Sequence, residues 1–412
     1  MNISRDFTKF TVVMTFGLLF SACGGGGGSS DGSDASEPTF TSKEALGEAL
    51  FSDVNLSGNR TQACSTCHNP ERAFVDDRLD AFGEIGAVSM GDDGISLGDR
   101  NTPSAAYAAF SPDFFEGTRD RLNSDAGQYQ GFMGGQFLDG READLKGQAG
   151  GPPLNPIEMN MPDKASVVAR IEENEDYVEA FESLYSEIIF DDVEAAYEAM
   201  TESIAQFEKT EAFASFDSDY DRHINGEYDE YILTKAGLGK ALFFSQEFTN
   251  CATCHQLQPN SHPQETFSSY EYHNIGVPEN TAVRAVNNTA EGFVDNGLLD
   301  NPATTDASHQ GKFKVPTLRN VAVTEPYMHN GVFRDLKTVI LFYDQFNNED
   351  RSLNPETGIA WADAEVPETI NHNELAAPAL TDEEVEALVC FLRSLTDARY
   401  KHLIEENGII CN

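Results

Sequence analysis

Basic residues are scarce in this chain. Against 69 Asp and Glu, its 412 residues include only 27 Lys and Arg, for a formal net charge of −42. A surface of that sign repels nucleic acid and anionic lipid headgroups and attracts a basic protein partner; the plainer reading is a solvated acidic coat. Tryptophan occurs once, at Trp361. Histidine is thin as well, and after His68 none follows until His223. No alternating strand pattern dominates, which leaves a mostly α chain with long loops. The apolar run from Phe10 to Phe20 is too short to span a bilayer.

That run belongs to an export signal. Arg5 and Lys9 precede it, and the small residues Ser21 and Ala22 lead to Cys23. The order resembles a bacterial lipoprotein signal, with residues 1–22 removed and the Cys23 thiol lipidated, although Phe20 stands where such signals more often carry Leu. The competing reading is a plain secretory signal with an incidental cysteine. Residues 23–41 are rich in Gly, Ser and Asp and read as a flexible tether. The expectation is an exported, periplasmic protein held to the outer membrane only through a lipid on Cys23.

Cysteines are few, but four of them are patterned. Cys64 and Cys67 precede His68 in "CSTCH", and Cys251 and Cys254 precede His255 in "CATCH". Cys-x-x-Cys-His is the attachment signature of c-type haem: both thiols bond the porphyrin and the histidine ligates the iron. "LGEALF" at Leu46–Phe51 comes before the first motif and "LGKALF" at Leu238–Phe243 before the second. The same unit occurs twice, so an internal duplication is expected: a haem domain over 42–212, a polar, turn-rich linker over 213–230 and a second haem domain over 231–412. Cys390 and Cys411 remain, and in an exported protein such a leftover pair forms a disulfide.

Helical stripes support this division. Val193, Tyr197, Met200, Ile204 and Phe207 share one face. Thr381 and Glu384 make a capping box ahead of Val385, Leu388, Val389, Leu392 and Leu395. The long loops, about 76–100 and 260–311, are placed to wall the haem pockets.

The far face of each iron decides between electron carrier and catalyst. With no histidine near after His68, the alternative ligands for the first iron are Met90, Met133, Met159 and Met161, whose commoner role is to fill space. An open sixth position, where peroxide or oxygen binds, is therefore expected. Splitting an O–O bond needs a group that takes a proton from the inner oxygen and returns it to the outer one. In "GQAGGPPLNPIEMN" that group is Glu158, set among Pro152, Pro153 and Pro156, with Gln148 to orient it or the peroxide; taken alone, a loop glutamate is more often solvated. At the second haem, Leu336, Val339, Ile340 and Tyr343 share an inward helical face. A buried Tyr343 hydroxyl needs a partner, either the haem iron or, more commonly, a hydrogen bond in a packed core.

Both haem motifs, with "RNTPS", "DGRE", "GQAGGPPLNPIEM", "FDSDYDRHINGE", "KVPTLRN" and "PYMHNG" in this order, resemble the bacterial di-haem cytochrome c peroxidases over roughly Ser42–Tyr400. The resemblance implies two cytochrome-c-like α domains with a calcium ion between them. It makes His68 the proximal ligand of the peroxide-reducing haem, with Glu158 and Gln148 on its distal side, and His255 that of the electron-transferring haem. Asn101, Thr324 and Pro326 match the calcium positions. Three departures stand out. The loop histidine that closes the first haem in typical members is missing. Tyr343 replaces the methionine ligand of the second haem, a pattern of the MauG-like branch, which matures protein side chains oxidatively with peroxide. Leu138 stands where a tryptophan usually lies between the haems.

The expected function is reduction of hydrogen peroxide to water, with electrons from a small soluble cytochrome c or copper protein delivered through the second haem. The alternatives are MauG-like oxidation of a partner protein and a non-catalytic di-haem electron conduit. The sequence selects neither monomer nor homodimer.

Overall fold

The computed structural model describes residues 39–121, 127–257 and 264–411, so the signal, Cys23 and nearly all of the tether lie outside it. The helices that position the two motifs are α1 (Lys43–Phe51), α2 (Cys64–Cys67), α3 (Val193–Glu208), α4 (Lys235–Phe243), α5 (Cys251–Cys254), α6 (Leu336–Asp344) and α7 (Asp382–Arg393). The chain is mostly helical, with long irregular connections.

The duplication is visible in how these helices cross. α1 meets α3 at Gly47, where a Cβ would lie 2.0 Å from the Ser203 carbonyl oxygen. α4 meets α7 at Gly239, where a Cβ would lie 1.9 Å from the Ala387 carbonyl oxygen. Only glycine lets two helix backbones touch in this way. The invariant second letter of the LGxALF repeat is thus the crossing point of each half.

Each crossing seeds its own apolar core. Leu46, Leu50 and Phe51 gather Phe74, Tyr107, Tyr197, Met200, Ile204 and Phe213. Leu242 and Phe243 gather Ile340, Phe342, Val385, Leu388, Phe391 and Leu395. Val193 is exposed, being the first residue of α3, while the rest of its stripe turns inward. The capping box forms: the Thr381 hydroxyl accepts from the Glu384 N–H at 3.3 Å, and the Glu384 carboxylate accepts from the Thr381 N–H at 2.8 Å. Cys390 on α7 is bonded to Cys411, which staples the C-terminal tail to that helix.

The segment between the cores is firmly held. Phe213 belongs to the first core and Tyr220 to the second. Between them Ser218 caps a short helix, Asp219–Ile224, and its Asp221 meets the wholly buried Arg319 in a two-pronged ion pair of 2.6 and 2.9 Å. The polar composition of 213–230 therefore serves a buried ion pair as well as the surface.

Two small antiparallel ladders, one in each half, meet at a bridge between Met133 and Glu271. β1 (Phe115–Asp120) pairs with β2 (Gln128–Met133), and β3 (Tyr272–His273) with β4 (Phe313–Lys314). β1 is largely exposed, so it carries no alternating apolar signal. It instead sends Arg119 across to the fully buried Glu271 at 2.8 Å, and Arg121, just past its end, reaches the same carboxylate at 2.9 Å. The hairpin clasps the second half through charge. Among the described residues no helix is long and apolar enough to cross a membrane.

Two candidate haem sites

The two motifs share one geometry. The His68 N–H donates to the Cys64 carbonyl at 2.9 Å, and the His255 N–H to the Cys251 carbonyl at the same 2.9 Å. Each imidazole then places Nδ1 against a backbone carbonyl: Phe74 at 3.1 Å for His68, Phe267 at 2.8 Å for His255. A neutral imidazole that donates from Nδ1 presents the lone pair of Nε2, the form that binds metal. Burial enforces neutrality, pulling His68 below its usual range and His255 down to about 4 against the pull of those hydrogen bonds. Phe74 and Phe267 both sit in the left-handed region, at φ 56° and 54°, which turns their carbonyls toward the histidines. All four motif cysteines are unpaired. Two thiols and one neutral imidazole are the donor set of a covalently attached haem, and both sites fit it.

A cavity of about 420 Å³ lies at the second site, lined by Cys251, Cys254 and His255. The inward face of α6 lines it too, with Leu336, Val339, Ile340 and Tyr343 all reaching it. Burial raises the Tyr343 phenol above its ordinary range. Asn101, Thr324 and Pro326 converge on the same cavity from both halves. The Asn101 N–H donates to the His329 carbonyl at 2.7 Å and its amide nitrogen to the Ala87 carbonyl at 3.0 Å, leaving its Oδ1 for another partner. Leu138 is also on this wall. Trp361 is elsewhere: its ring packs on Phe333 and Phe342, and its N–H donates to the Arg351 carbonyl at 2.6 Å.

At the first site Glu158 is half-buried on a braced loop. Its N–H donates to the Asn155 carbonyl at 3.1 Å, its carbonyl accepts from the Asp92 N–H at 2.7 Å, and the Asn155 amide donates to its Oε1 at 2.9 Å. Burial raises this carboxyl above the usual carboxylate range, although Arg141 and Asn155 oppose the shift. The same Asp92 accepts from the Thr61 hydroxyl at 2.6 Å, three residues before Cys64, which ties the Glu158 loop to the first motif. Gln148 is half-buried in the short helix Leu145–Ala149 that leads into this loop. Met159 and Met161 fill the first core and Met133 is buried, while Met90 is partly exposed.

Two features of the sites escaped the sequence reading. Glu208 ends α3 at 5 % exposure with its Oε2 unpartnered, and after burial its charge acts on the Cys64 thiol. It continues the stripe four residues past Ile204, which was the available signal. Burial pushes its carboxyl up to about 8. A carboxyl raised on folding makes the folded state less stable as pH climbs from its unfolded value of about 4.3 toward that higher one. Glu208→Gln is expected to flatten this alkaline decline, measured as melting temperature against pH.

The other is a buried ionic cluster beside the second motif. His273 lies 3.1 Å from Glu271 and 2.9 Å from Glu374; against burial, Cys254 first and then these carboxylates hold it well above its ordinary range. Burial raises Glu374, but His273 and Arg121 overcome it and bring the carboxyl to about 2. Cys254, His273 and Glu374 present donors within 4.8 Å of one another. Both nitrogens of His273 are engaged by carboxylates, so the cluster is an ion-pair network.

Duplicated helical halves, each with a haem-attachment motif and a half-buried histidine held neutral, define a two-haem c-type redox protein. The chain belongs to the di-haem cytochrome c peroxidase family, whose model matches residues 41–229. It is 45% identical to the methylamine utilization protein MauG of Paracoccus denitrificans over 378 residues, covering 91% of this chain and 93% of that one. It is 32% identical to the cytochrome c peroxidase Ccp of Escherichia coli over 296 residues, 71% of this chain and 51% of that longer one. Among solved structures, the diheme peroxidase BthA from Burkholderia thailandensis superposes with a TM-score of 0.75 at 30% identity, over 90% of this chain and 89% of that one. The protein is a peroxidase-type oxidoreductase that carries two c-type haems.

Proposed function

We propose that this chain reduces hydrogen peroxide to water at the His68 site, with electrons entering through the His255 site from a small soluble redox protein. The observation that supports it most is Glu158, a half-buried carboxyl of raised pKa, braced by Asn155 and tied through Asp92 to the first motif. Cys64, Cys67 and His68 would hold the haem, whose iron would supply the redox chemistry of O–O cleavage. Glu158 takes the proton from the inner peroxide oxygen and returns it to the outer one, which leaves as water. Gln148 orients the peroxide. A group fixed before the reaction begins needs no reorganisation at the moment of cleavage, which is the source of its effect. The sum is hydrogen peroxide, two electrons and two protons to two waters.

The second site is the electron entry. In this reading Tyr343 would hold the iron of that site together with His255, and Asn101, Thr324 and Pro326 would hold a calcium ion. The net charge of −42 suits a basic donor, a cytochrome c or a copper protein. Export and a lipid anchor on Cys23 place the reaction in the periplasm.

Identity of 45% to a MauG across almost the whole chain, together with Tyr343 at the second cavity, favours a second reading. In it the two electrons come from a residue of a partner protein, which peroxide thereby oxidises. Turnover separates the two. Rapid peroxide-dependent oxidation of a reduced basic cytochrome is expected; slow turnover accompanied by a covalent change in a co-exported protein would transfer the assignment to the second reading. Resting ferric haem without a high-spin signal would reduce both to an electron conduit.

A further inference from the structure

Beyond Leu138, the halves meet at a second place that joins both histidine-bearing loops. The Phe74 carbonyl that holds His68 also accepts from the Ala105 N–H at 3.1 Å. Two residues on is Tyr107, 1 % exposed, in the first core and also on the wall of the second cavity. Its ring lies 4.8 Å from that of Phe216. The Arg319 guanidinium sits over Tyr107 at 5.6 Å, Phe216 at 4.9 Å and Phe267 at 5.2 Å. Phe267 supplies the carbonyl that holds His255. The chain of contacts therefore runs from one proximal histidine to the other.

Tyr107 has what a redox-active phenol needs. Its hydroxyl donates to Asp397 Oδ1 at 2.5 Å and accepts from the Phe216 N–H at 3.1 Å. Asp397 is itself fully buried and is oriented by the Asn320 amide on its other oxygen at 2.9 Å. Phe74, Tyr107, Phe216, Phe267 and Asn320 all have left-handed backbones, between φ 49° and 61°. For bulky residues this conformation persists only where the surroundings impose it.

We propose that Tyr107 relays electrons between the two haem sites in this chain, an inference that rests on the reading above in which the second site feeds the first. After peroxide has oxidised the first site, Tyr107 gives up one electron toward it. The phenolic O–H bond breaks, and a new O–H bond forms on Asp397. One electron from the second site then reduces the neutral phenoxyl, and the proton returns from Asp397. Each cycle moves one electron and leaves no net bond change, so two cycles supply the two electrons of peroxide reduction. The Arg319 cation disfavours a positively charged radical, which couples the electron's departure to that of the proton.

The test uses the holoprotein with its second haem reduced, mixed rapidly with peroxide, following reoxidation of that haem by absorbance. Tyr107→Phe is expected to slow reoxidation by about tenfold or more, a barrier increase of about 1.4 kcal/mol or more. The wild-type step slows in deuterium oxide, and the variant loses that isotope effect. Freeze-quenched wild type shows a tyrosyl signal in electron paramagnetic resonance that the variant lacks. Adding Leu138→Trp to Tyr107→Phe, which offers an indole in place of the phenol, restores the rate. Asp397→Asn, which keeps the ring, lowers the rate and the isotope effect together, so a folding defect in either variant alone does not decide the result. Reoxidation of Tyr107→Phe at the wild-type rate with an unchanged isotope effect overturns the relay. A wild-type second haem that peroxide never reoxidises overturns the reading beneath it as well.

Discussion

Glu158→Gln lowers peroxide turnover by about a hundredfold to ten-thousandfold, the usual worth of a positioned acid–base group, and leaves the haem absorption spectrum in place. The substitution preserves shape, and the new amide oxygen still accepts from Asn155, whose nitrogen lies 2.9 Å from the present carboxylate. What it removes is the ability to accept a proton. The pH profile supplies a second readout. Burial raises the carboxyl, so in the wild type kcat/KM falls on the acid side as Glu158 becomes protonated, at a pH above that of an ordinary glutamate. In the variant that acid limb disappears. Full turnover by the variant, or an unchanged limb, would remove Glu158 from the mechanism.

Arg319→Met is expected to destabilise the protein by about 3–5 kcal/mol, as happens when one member of a buried ion pair is left alone. Asp221, 4 % exposed, then keeps its hydrogen bonds from Ser218 but loses both guanidinium contacts. The Glu265 carbonyl, which accepts from Arg319 Nε at 2.7 Å, loses its partner too. Denaturant unfolding of the holoprotein reads the effect. Lys164→Met, which breaks the solvent-exposed pair with Glu194, is the control and changes stability by no more than about 1 kcal/mol. Combining Arg319→Met with Asp221→Leu recovers much of the loss, because the orphaned charge is gone. Equal effects of Arg319→Met and Lys164→Met would show that the buried pair counts for no more than an exposed one.

Haem attachment was legible because its chemistry is local: two thiols and an imidazole within five residues describe the site before any folding. The duplication was equally plain in LGEALF and LGKALF, though the purpose of the glycine emerged only where each helix crosses its partner. The capping box and the inward face of α6 were readable for the same reason, since both obey helical spacing. The β1–β2 clasp was not legible. Its first strand is largely exposed, and the hairpin attaches through Arg119 and Arg121 to a carboxylate some 150 positions away; charge pairing has no period to detect.

The same limit governed the middle of the chain. FDSDYDRHINGE has the composition of a solvated linker, yet Asp221 lies buried against Arg319, and Tyr107 bonds to Asp397 across 290 positions. Residue order sufficed to say what is attached and where the helices run, because those properties depend on neighbours within a turn or two. Which buried charges meet, and by what contacts one haem site reaches the other, depends on how two separate apolar cores close upon each other. That closure is a long-range outcome of packing, and it is written in no single stretch of sequence.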